Sequence, residues 1–495
     1  MRFFEVLDGT KILETNINCF DFCFGKICSK SNEVNLGDVF VCRKGSKADG
    51  HDFIETAYKN GARTFVIEKN APFLKSNPDI RYIRVNDSSV AEAKMLDCFY
   101  GHPTKSMRLV GITGTNGKTS SAYMLKQIFD FAGYKTGIIG TVKTIAGECD
   151  ITKKNAGSNY SDMTTPSPSK LYAYLSEMEK HGVEIVILEA SSHALSQKRL
   201  DALNFDTGIF TNLSEDHLDY HKTPLEYRKA KMHLFDLCKQ ALINSDSAEC
   251  EAFLKSIPCK AHTFGKTSSE FRLKNAYFDG KYNNLELEYN KKITHISSPI
   301  LGSFTPYNIV SAASCAKLFG VDDSIIEDAI FNLKNIPGRL EKVDSVTNAR
   351  IYIDYAHSPD ALEKTIKTLR EICDGRLLTV FGCGGDRERE KRPVMGRIAT
   401  SLSDYTIITS DNPRSEDPKK IITDILSGVK PNSKYEIVEN RKEAIWRALG
   451  LIGDSDVLLL AGKGHEDYEI TNSGKHPFSE KAIINDYYKS KTNKS

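Results

Sequence analysis

Short apolar runs recur along the chain, at 108–112, 184–188, 207–210, 377–381, 406–409 and 457–460, and between them apolar residues return with the spacing of a helix face. Strand-length runs separated by helical patterns predict βαβ units and parallel sheets, an α/β fold. The first hundred residues read differently. Strand candidates at 38–41, 64–67 and 81–85 surround a helical pattern at 53–60, a small α/β module that ends near the turn-rich Gly101, His102, Pro103 and Thr104. A second boundary is predicted at Ile336, Pro337, Gly338 and Arg339, where the helical pattern of 324–333 stops and a strand at 350–354 begins. Three domains are therefore expected, 1–103, 104–336 and 337–495, in keeping with a length of 495 residues. The lysine-rich end, 489–495, reads as a frayed tail.

Composition narrows the class. Hydrophobic residues make up 40% and charged residues 27%, as in an ordinary globular protein, and a net charge of +2 argues against a partner held by bulk attraction to nucleic acid. Twelve cysteines occur without a C-x-x-C pair, and Cys19, Cys23 and Cys28 are spaced too widely for a zinc site. Reduced thiols, no secretory leader and no apolar run of membrane-spanning length lead to the expectation of a cytoplasmic protein without membrane or nucleic-acid partners.

The predicted strand at 108–112 runs into Gly114, Thr115, Asn116, Gly117, Lys118 and Thr119, and a helical pattern follows over 120–131. Strand, glycine turn and helix form a phosphate-binding loop. Glycines admit the phosphates to the backbone N–H groups, the helix N-terminus adds its positive end, Lys118 reaches the outer phosphates and the Thr119 hydroxyl can hold Mg²⁺. Ile112 stands where the strict loop pattern has its first glycine. Two further strand ends carry chemistry: Glu189 follows the run at 184–188, and a polar run from Thr211 and Asn212 through Glu215, Asp216 and His217 to His221 follows the one at 207–210. Carboxyl ends of parallel strands are where open α/β sheets bind ligands, so a Mg²⁺ site beside the loop is expected. Lys231, ahead of an apolar stripe, reads as a snorkelling helix lysine.

These strings, with the Asn308 region, Pro337-Gly338-Arg339, Asp354-Tyr355-Ala356-His357 and Gly382 to Arg387, resemble in their order the Mur ligases, ATP-dependent amide-forming enzymes of bacterial peptidoglycan synthesis. The resemblance implies a first domain for the UDP end of the substrate, a central ATP-binding domain with a P-loop ATPase-type parallel sheet, and a third, Rossmann-like domain that brings the amino acid. It implies ATP contacts from Gly114 through Thr119, Ser120, Asn308, Arg339 and Asp354, and Mg²⁺ held by Thr119, Glu189, His217 and a carbamylated Lys231. Ser31, Thr164, Thr165, Ser191, Gln197 and Arg199 fall where the family binds UDP-N-acetylmuramoyl-L-alanyl-D-glutamate, although the usual Asp-Ser-Arg reads Lys30-Ser31-Asn32 here.

Asp411, Asn412, Pro413 and Arg414, followed by Gly462 to Glu466, resemble the branch that adds meso-diaminopimelate. Guanidinium takes a carboxylate by two parallel hydrogen bonds, and diaminopimelate differs from lysine by that carboxylate. Arg387 is expected to pair with another substrate carboxylate, and Gly462 and Glu466 to receive an ammonium group. The implied reaction passes through an acyl phosphate stabilised by Lys118 and Mg²⁺, with His357 as a candidate base for the attacking amine and domain closure excluding water. A monomer is expected. The rival readings are a lysine-adding sister enzyme, a folylpolyglutamate synthetase-like ligase and, from another class, a nucleotide-dependent switch.

Overall fold

The computed structural model describes residues 1–45, 48–152, 163–214, 216–267, 269–343 and 349–492; Glu215 and the last three residues of the expected tail lie outside the described residues. The chain divides into two compact units. One comprises Met1–Arg272 with Tyr289–Lys291 and Val310–Ile326, the other Leu273–Glu288, Lys292–Ile309 and Glu327–Ser495.

The first unit contains a five-stranded sheet in the order Ile12–Thr15, Arg81–Val85, Thr64–Ile67, Val39–Val41, Ile27–Cys28, parallel except at its first strand. Its larger sheet has Arg108–Thr113 in the middle, flanked by Ile185–Glu189 and Phe205–Phe210, with Thr136–Ile139, Cys238–Asn244 and Lys260–Gly265 outside them, all parallel. The register pairs Glu189 with Ile112 and Phe210 with Thr113, so the three central strands end level with one another. That alignment brings three loops together at the carboxyl edge.

The helix Pro224–Asp236 lies on this sheet at a glycine. A Cβ on Gly111 would come within 2.8 Å of Leu234 and 3.1 Å of Phe205, so only glycine allows the approach. Tyr227, Lys231 and Leu234 share the buried face, at the spacing that puts side chains on one side of a helix. Lys231 therefore does not snorkel. It is carried inward by the neighbours that anchor the helix.

The second unit is built on a six-stranded sheet in the order Glu341–Val343, Arg350–Asp354, Val457–Ala461, Leu377–Phe381, Tyr405–Ile408, Tyr435–Ile437, parallel except at Glu341–Val343. Apolar cores cover both faces. The strands Leu377–Phe381, Tyr405–Ile408 and Val457–Ala461 end side by side and feed a second group of loops. The C-terminal stretch departs from the expected frayed tail. Of that stretch, 489–492 continue the helix Glu480–Thr492, which is anchored further back: Ile483 and Ile484 are buried, Tyr487 and Tyr488 pack on the same core, and Trp446 Nε1 donates to Ile483 O.

Arg392, with no exposed side-chain surface, bonds Glu416 through both terminal nitrogens at 2.9 and 2.7 Å and Asp424 at 2.9 Å. Removing one partner of such a group leaves the others desolvated, so Arg392→Met is expected to lower stability by about 2–3 kcal/mol. Urea denaturation followed by circular dichroism measures it, and a loss under about 0.5 kcal/mol would show that the cluster is not a clamp. Among the described residues, no helix is long and apolar enough to cross a membrane.

Candidate active site

The phosphate loop leaves the central strand at Gly114, whose φ of 148° and closeness to Thr211 Oγ1 (1.9 Å from an added Cβ) admit no side chain. The loop is clamped to the neighbouring strand end. Asn116 N donates to Asn212 Oδ1 at 3.0 Å, Thr115 N to Asn212 O at 2.9 Å, and Thr211 Oγ1 to Asn116 O at 2.6 Å. Gly117, at φ 86°, starts the helix Lys118–Phe131, whose first turn contains Thr119 and Ser120, both buried. First-turn amides have no intrahelical acceptor and suit an anion. Lys118 Nζ bonds Gly114 O and Thr115 O, each at 2.8 Å, which holds the ammonium over the loop.

Glu189 is fully buried at the next strand end. Its carboxylate accepts from Thr119 Oγ1 at 2.9 Å, Thr141 Oγ1 at 2.9 Å and Thr141 N at 3.1 Å. Lys231 Nζ donates to Gly114 O at 2.8 Å and lies 4.4 Å from the Tyr227 ring. Burial, aided by the Lys118 ammonium and opposed by Asp216, holds the Lys231 amine well below its usual range. Tyr227 joins the parts: its hydroxyl is 3.1 Å from Thr115 Oγ1, and its ring is 6.3 Å from that of His217. His217, at φ 56°, is held through its N–H on Asp216 Oδ1 at 2.9 Å, and its ring is 4.9 Å from that of His193.

A carboxylate beside a hydroxyl supplies the hard oxygens that Mg²⁺ prefers. Among the described residues no three His, Cys, Asp or Glu side chains group as a ready metal cage. The downward shift of Lys231 favours the uncharged amine, the form that reacts with carbon dioxide to become a carbamate. Glu189→Gln is expected to lower phosphate release at least about a hundredfold while the melting temperature stays within about 2–4 °C, because the protein partners of the carboxylate are hydroxyls and one amide. Activity within tenfold of wild type at saturating Mg²⁺ would remove Glu189 from the metal site.

The residues assigned to the muramoyl dipeptide gather next to this carboxylate. Thr141 Oγ1, whose proton goes to Glu189, lies 3.1 Å from Thr164 Oγ1, and Thr165 Oγ1 donates to Glu189 O at 2.7 Å. Ser191 N donates to Thr165 Oγ1 at 2.9 Å. Arg199 spans the group, donating to Thr165 O at 2.8 Å and to Gln197 Oε1 at 3.0 and 2.7 Å, and Gln197 Nε2 in turn donates to Tyr220 at 3.1 Å. Burial, with the Arg43 guanidinium adding to it, pulls Arg199 down to about 10. Ser31 lies in the five-stranded module, its carbonyl accepting from Asn60 Nδ2 at 2.8 Å.

In the second unit, two loops from neighbouring strand ends are laced together. Gly385 N donates to Asn412 O at 2.9 Å, Asp386 N to Glu416 Oε1 at 2.6 Å, and Ser415 Oγ to Asp386 Oδ1 at 2.6 Å. Arg414 has φ 53°, its N–H donates to Ile470 O at 3.0 Å, and its Nη1 donates to Gly385 O at 2.9 Å and Asn412 O at 3.3 Å. It is half-buried rather than free in solvent. Asp411 and Asn412 are buried, Pro413 is buried between them and Arg414, and Asn412 Nδ2 donates to Glu466 Oε2 at 2.8 Å. Gly462 approaches so closely that a Cβ would stand 2.5 Å from Asp411 Oδ2. Arg387 is exposed, with Nη1 on Asp386 O at 3.1 Å.

Of the other expected residues, Asp354 is buried and accepts from Leu340 N at 2.7 Å and Ala356 N at 2.9 Å, with burial pushing its carboxyl up. Arg339 lies 5.0 Å from the Tyr355 ring, and the exposed His357 has its Nδ1 2.8 Å from Tyr355 O. Asn308 is buried in the helix Thr305–Leu318. Thr141, Tyr227, Ser415 and Glu416 were not anticipated, and Asp386 stood in the string Gly382 to Arg387 without a role of its own. For Thr141 a signal existed, since it follows the end of the strand Thr136–Ile139 at the same carboxyl edge.

A nucleotide loop set against a buried carboxylate, on a chain whose second sheet gathers arginines and an acid at its strand ends, suits an enzyme that couples a nucleoside triphosphate to the chemistry of a charged substrate. Residues 26–99, 112–316 and 338–464 match, in turn, the family descriptions "Mur ligase family, catalytic domain", "Mur ligase middle domain" and "Mur ligase, glutamate ligase domain". The chain is 40% identical over 462 residues, 93% of each protein, to UDP-N-acetylmuramoyl-L-alanyl-D-glutamate--2,6-diaminopimelate ligase 1 of Clostridium acetobutylicum. It is 38% identical to the corresponding ligase of Clostridium botulinum, over 94% of this chain and 95% of that one. A solved structure of a ligase of that name covers 99% of both chains at 27% identity with a TM-score of 0.67. The MurF ligase from Thermotoga maritima in complex with ADP aligns over 95% of this chain and 98% of its own, at 19% identity and a TM-score of 0.60. The chain belongs to the Mur ligase family.

Proposed function

We propose that this ligase joins meso-2,6-diaminopimelate to the D-glutamate of UDP-N-acetylmuramoyl-L-alanyl-D-glutamate with hydrolysis of ATP to ADP and phosphate, a step of peptidoglycan precursor synthesis in the cytoplasm. The observation that carries the reading is the convergence of Asn412, Arg414, Gly462 and Glu466 from the ends of the two strands that flank Leu377–Phe381, in a chain whose relatives at 40% and 38% identity bear the name of that reaction. Arginine and glutamate suit the carboxylate and ammonium of one amino-acid centre.

In this reading residues 1–103 hold the UDP end, 104–336 bind ATP and 337–495 bind the amino acid, the protein acting as a monomer. The glutamate γ-carboxylate attacks the γ-phosphorus of ATP, the bond to the bridging oxygen breaks, and ADP departs from an acyl phosphate. Lys118 and the first-turn amides of its helix take up charge on the transferring group. Thr119, Glu189, His217 and carbamylated Lys231 would hold Mg²⁺, which neutralises phosphate charge when bound. The buried Thr165 and Arg199, with the half-buried Ser191 and Gln197, orient the dipeptide beside Glu189. The diaminopimelate amine then attacks the acyl carbon, phosphate leaves, and His357 or a substrate carboxylate accepts the proton.

The test is phosphate release with the UDP-muramoyl dipeptide, ATP and Mg²⁺, and either meso-diaminopimelate or L-lysine. Release that depends on diaminopimelate, with lysine at least about a hundredfold poorer, is expected. Equal rates would overturn the specificity.

A further inference from the structure

Lys463 belongs to the turn that contributes Gly462 and Glu466, yet the reaction above gives it no part. Its side chain is fully buried. An ammonium is tolerated there only if its protons are taken up. Nζ donates to Asn412 Oδ1 at 3.0 Å and to Tyr468 O at 2.9 Å, lies 3.9 Å from Glu466 Oε2, and faces the Phe478 ring at 5.2 Å. Asn412 Oδ1 accepts a second N–H, from Ile470, at 2.9 Å, while Asn412 Nδ2 donates to Glu466 Oε2 at 2.8 Å. Two donors thus converge on one end of a buried amide. Turned over, the amide would set its own N–H groups against both of them, so Lys463 and the Ile470 amide decide which way Asn412 points.

We propose that Lys463 is a positioning residue for the amino-acid site. Through Asn412 and Glu466 it fixes the distance between an acceptor and the donors of Asn412 and Arg414, and so selects a substrate whose distal carbon bears both an ammonium and a carboxylate. A substrate with a lone distal ammonium uses only half of that arrangement. The inference rests on the reading of 411–414 and 462–466 as the amino-acid site.

The experiment compares Lys463→Met, which keeps the aliphatic stem, with Lys463→Gln, which keeps one donor, in the full-length enzyme. For Lys463→Met, KM for meso-diaminopimelate is expected to rise about ten- to a hundredfold, with kcat and KM for ATP changed by less than about threefold. Lys463→Gln should fall between it and wild type. Asn412→Leu combined with Lys463→Met should be no worse than Asn412→Leu alone, since one acts through the other. A fall in kcat at unchanged KM, multiplicative effects in the double variant, or loss of the cooperative melting transition in both single variants would each overturn the proposal. The last outcome would make Lys463 a residue of core stability. Wild-type enzyme is assayed first: phosphate release indifferent to diaminopimelate would refute the site assignment itself, a result distinct from any of these.

Discussion

Lys118→Met is expected to lower amino-acid-dependent phosphate release by about 10²–10³-fold. The ammonium is already directed at the loop by its bonds to Gly114 O and Thr115 O, so little reorganisation is needed when phosphate charge arrives. Methionine keeps the length of the stem and removes the charge. The loop itself should survive, because its clamps to Thr211 and Asn212 involve other atoms. The variant should therefore keep a melting temperature within about 2–4 °C of wild type. A variant retaining more than about a tenth of the wild-type rate would show that Lys118 does not stabilise the transferring group.

The second large effect is expected at Arg414. Arg414→Ala should lower kcat/KM for meso-diaminopimelate about a hundredfold and leave the low rate with L-lysine nearly unchanged, so that discrimination collapses. Among the described residues its side-chain hydrogen bonds run through Nη1, which leaves the other guanidinium edge for a carboxylate. Arg414→Lys should recover little, since a single ammonium cannot reproduce two parallel bonds. Rates measured with both amino acids decide the matter. An equal loss with both would assign Arg414 to loop stability rather than to selection.

Much of the framework was legible in the chain. The strands Thr64–Ile67, Arg81–Val85, Arg350–Asp354 and Leu377–Phe381 begin and end where the predicted runs do; Thr64–Ile67 and Leu377–Phe381 are buried along their length, and the other two bury their apolar residues. The strands Phe271–Phe278, Asn283–Tyr289 and Lys292–Ser298 were not legible. Their inward positions alternate with Arg272, Lys274 and Glu286, so no continuous apolar run marks them. The loop, Glu189 and Arg414 could be named from motifs. The burial of Lys231 could not, because a lysine between apolar residues reads as a snorkelling one until the close approach of its helix to Gly111 is known. The partners Asp386, Ser415 and Glu416 are ordinary polar loop residues whose roles arise from bonds between segments about thirty positions apart.

The lacing of the loops at 383–387 and 411–416 bears on how such an enzyme can be redesigned. Asp386 and Arg414 both have left-handed backbone torsions, at φ 53°, and each leans on a partner in the opposite loop. The direction of the Arg414 side chain is thus set by two backbones at once. A chimera that transplants one segment from a lysine-adding relative would separate those torsions from the bonds that hold them, whereas exchange of both segments as a cassette preserves the coupling.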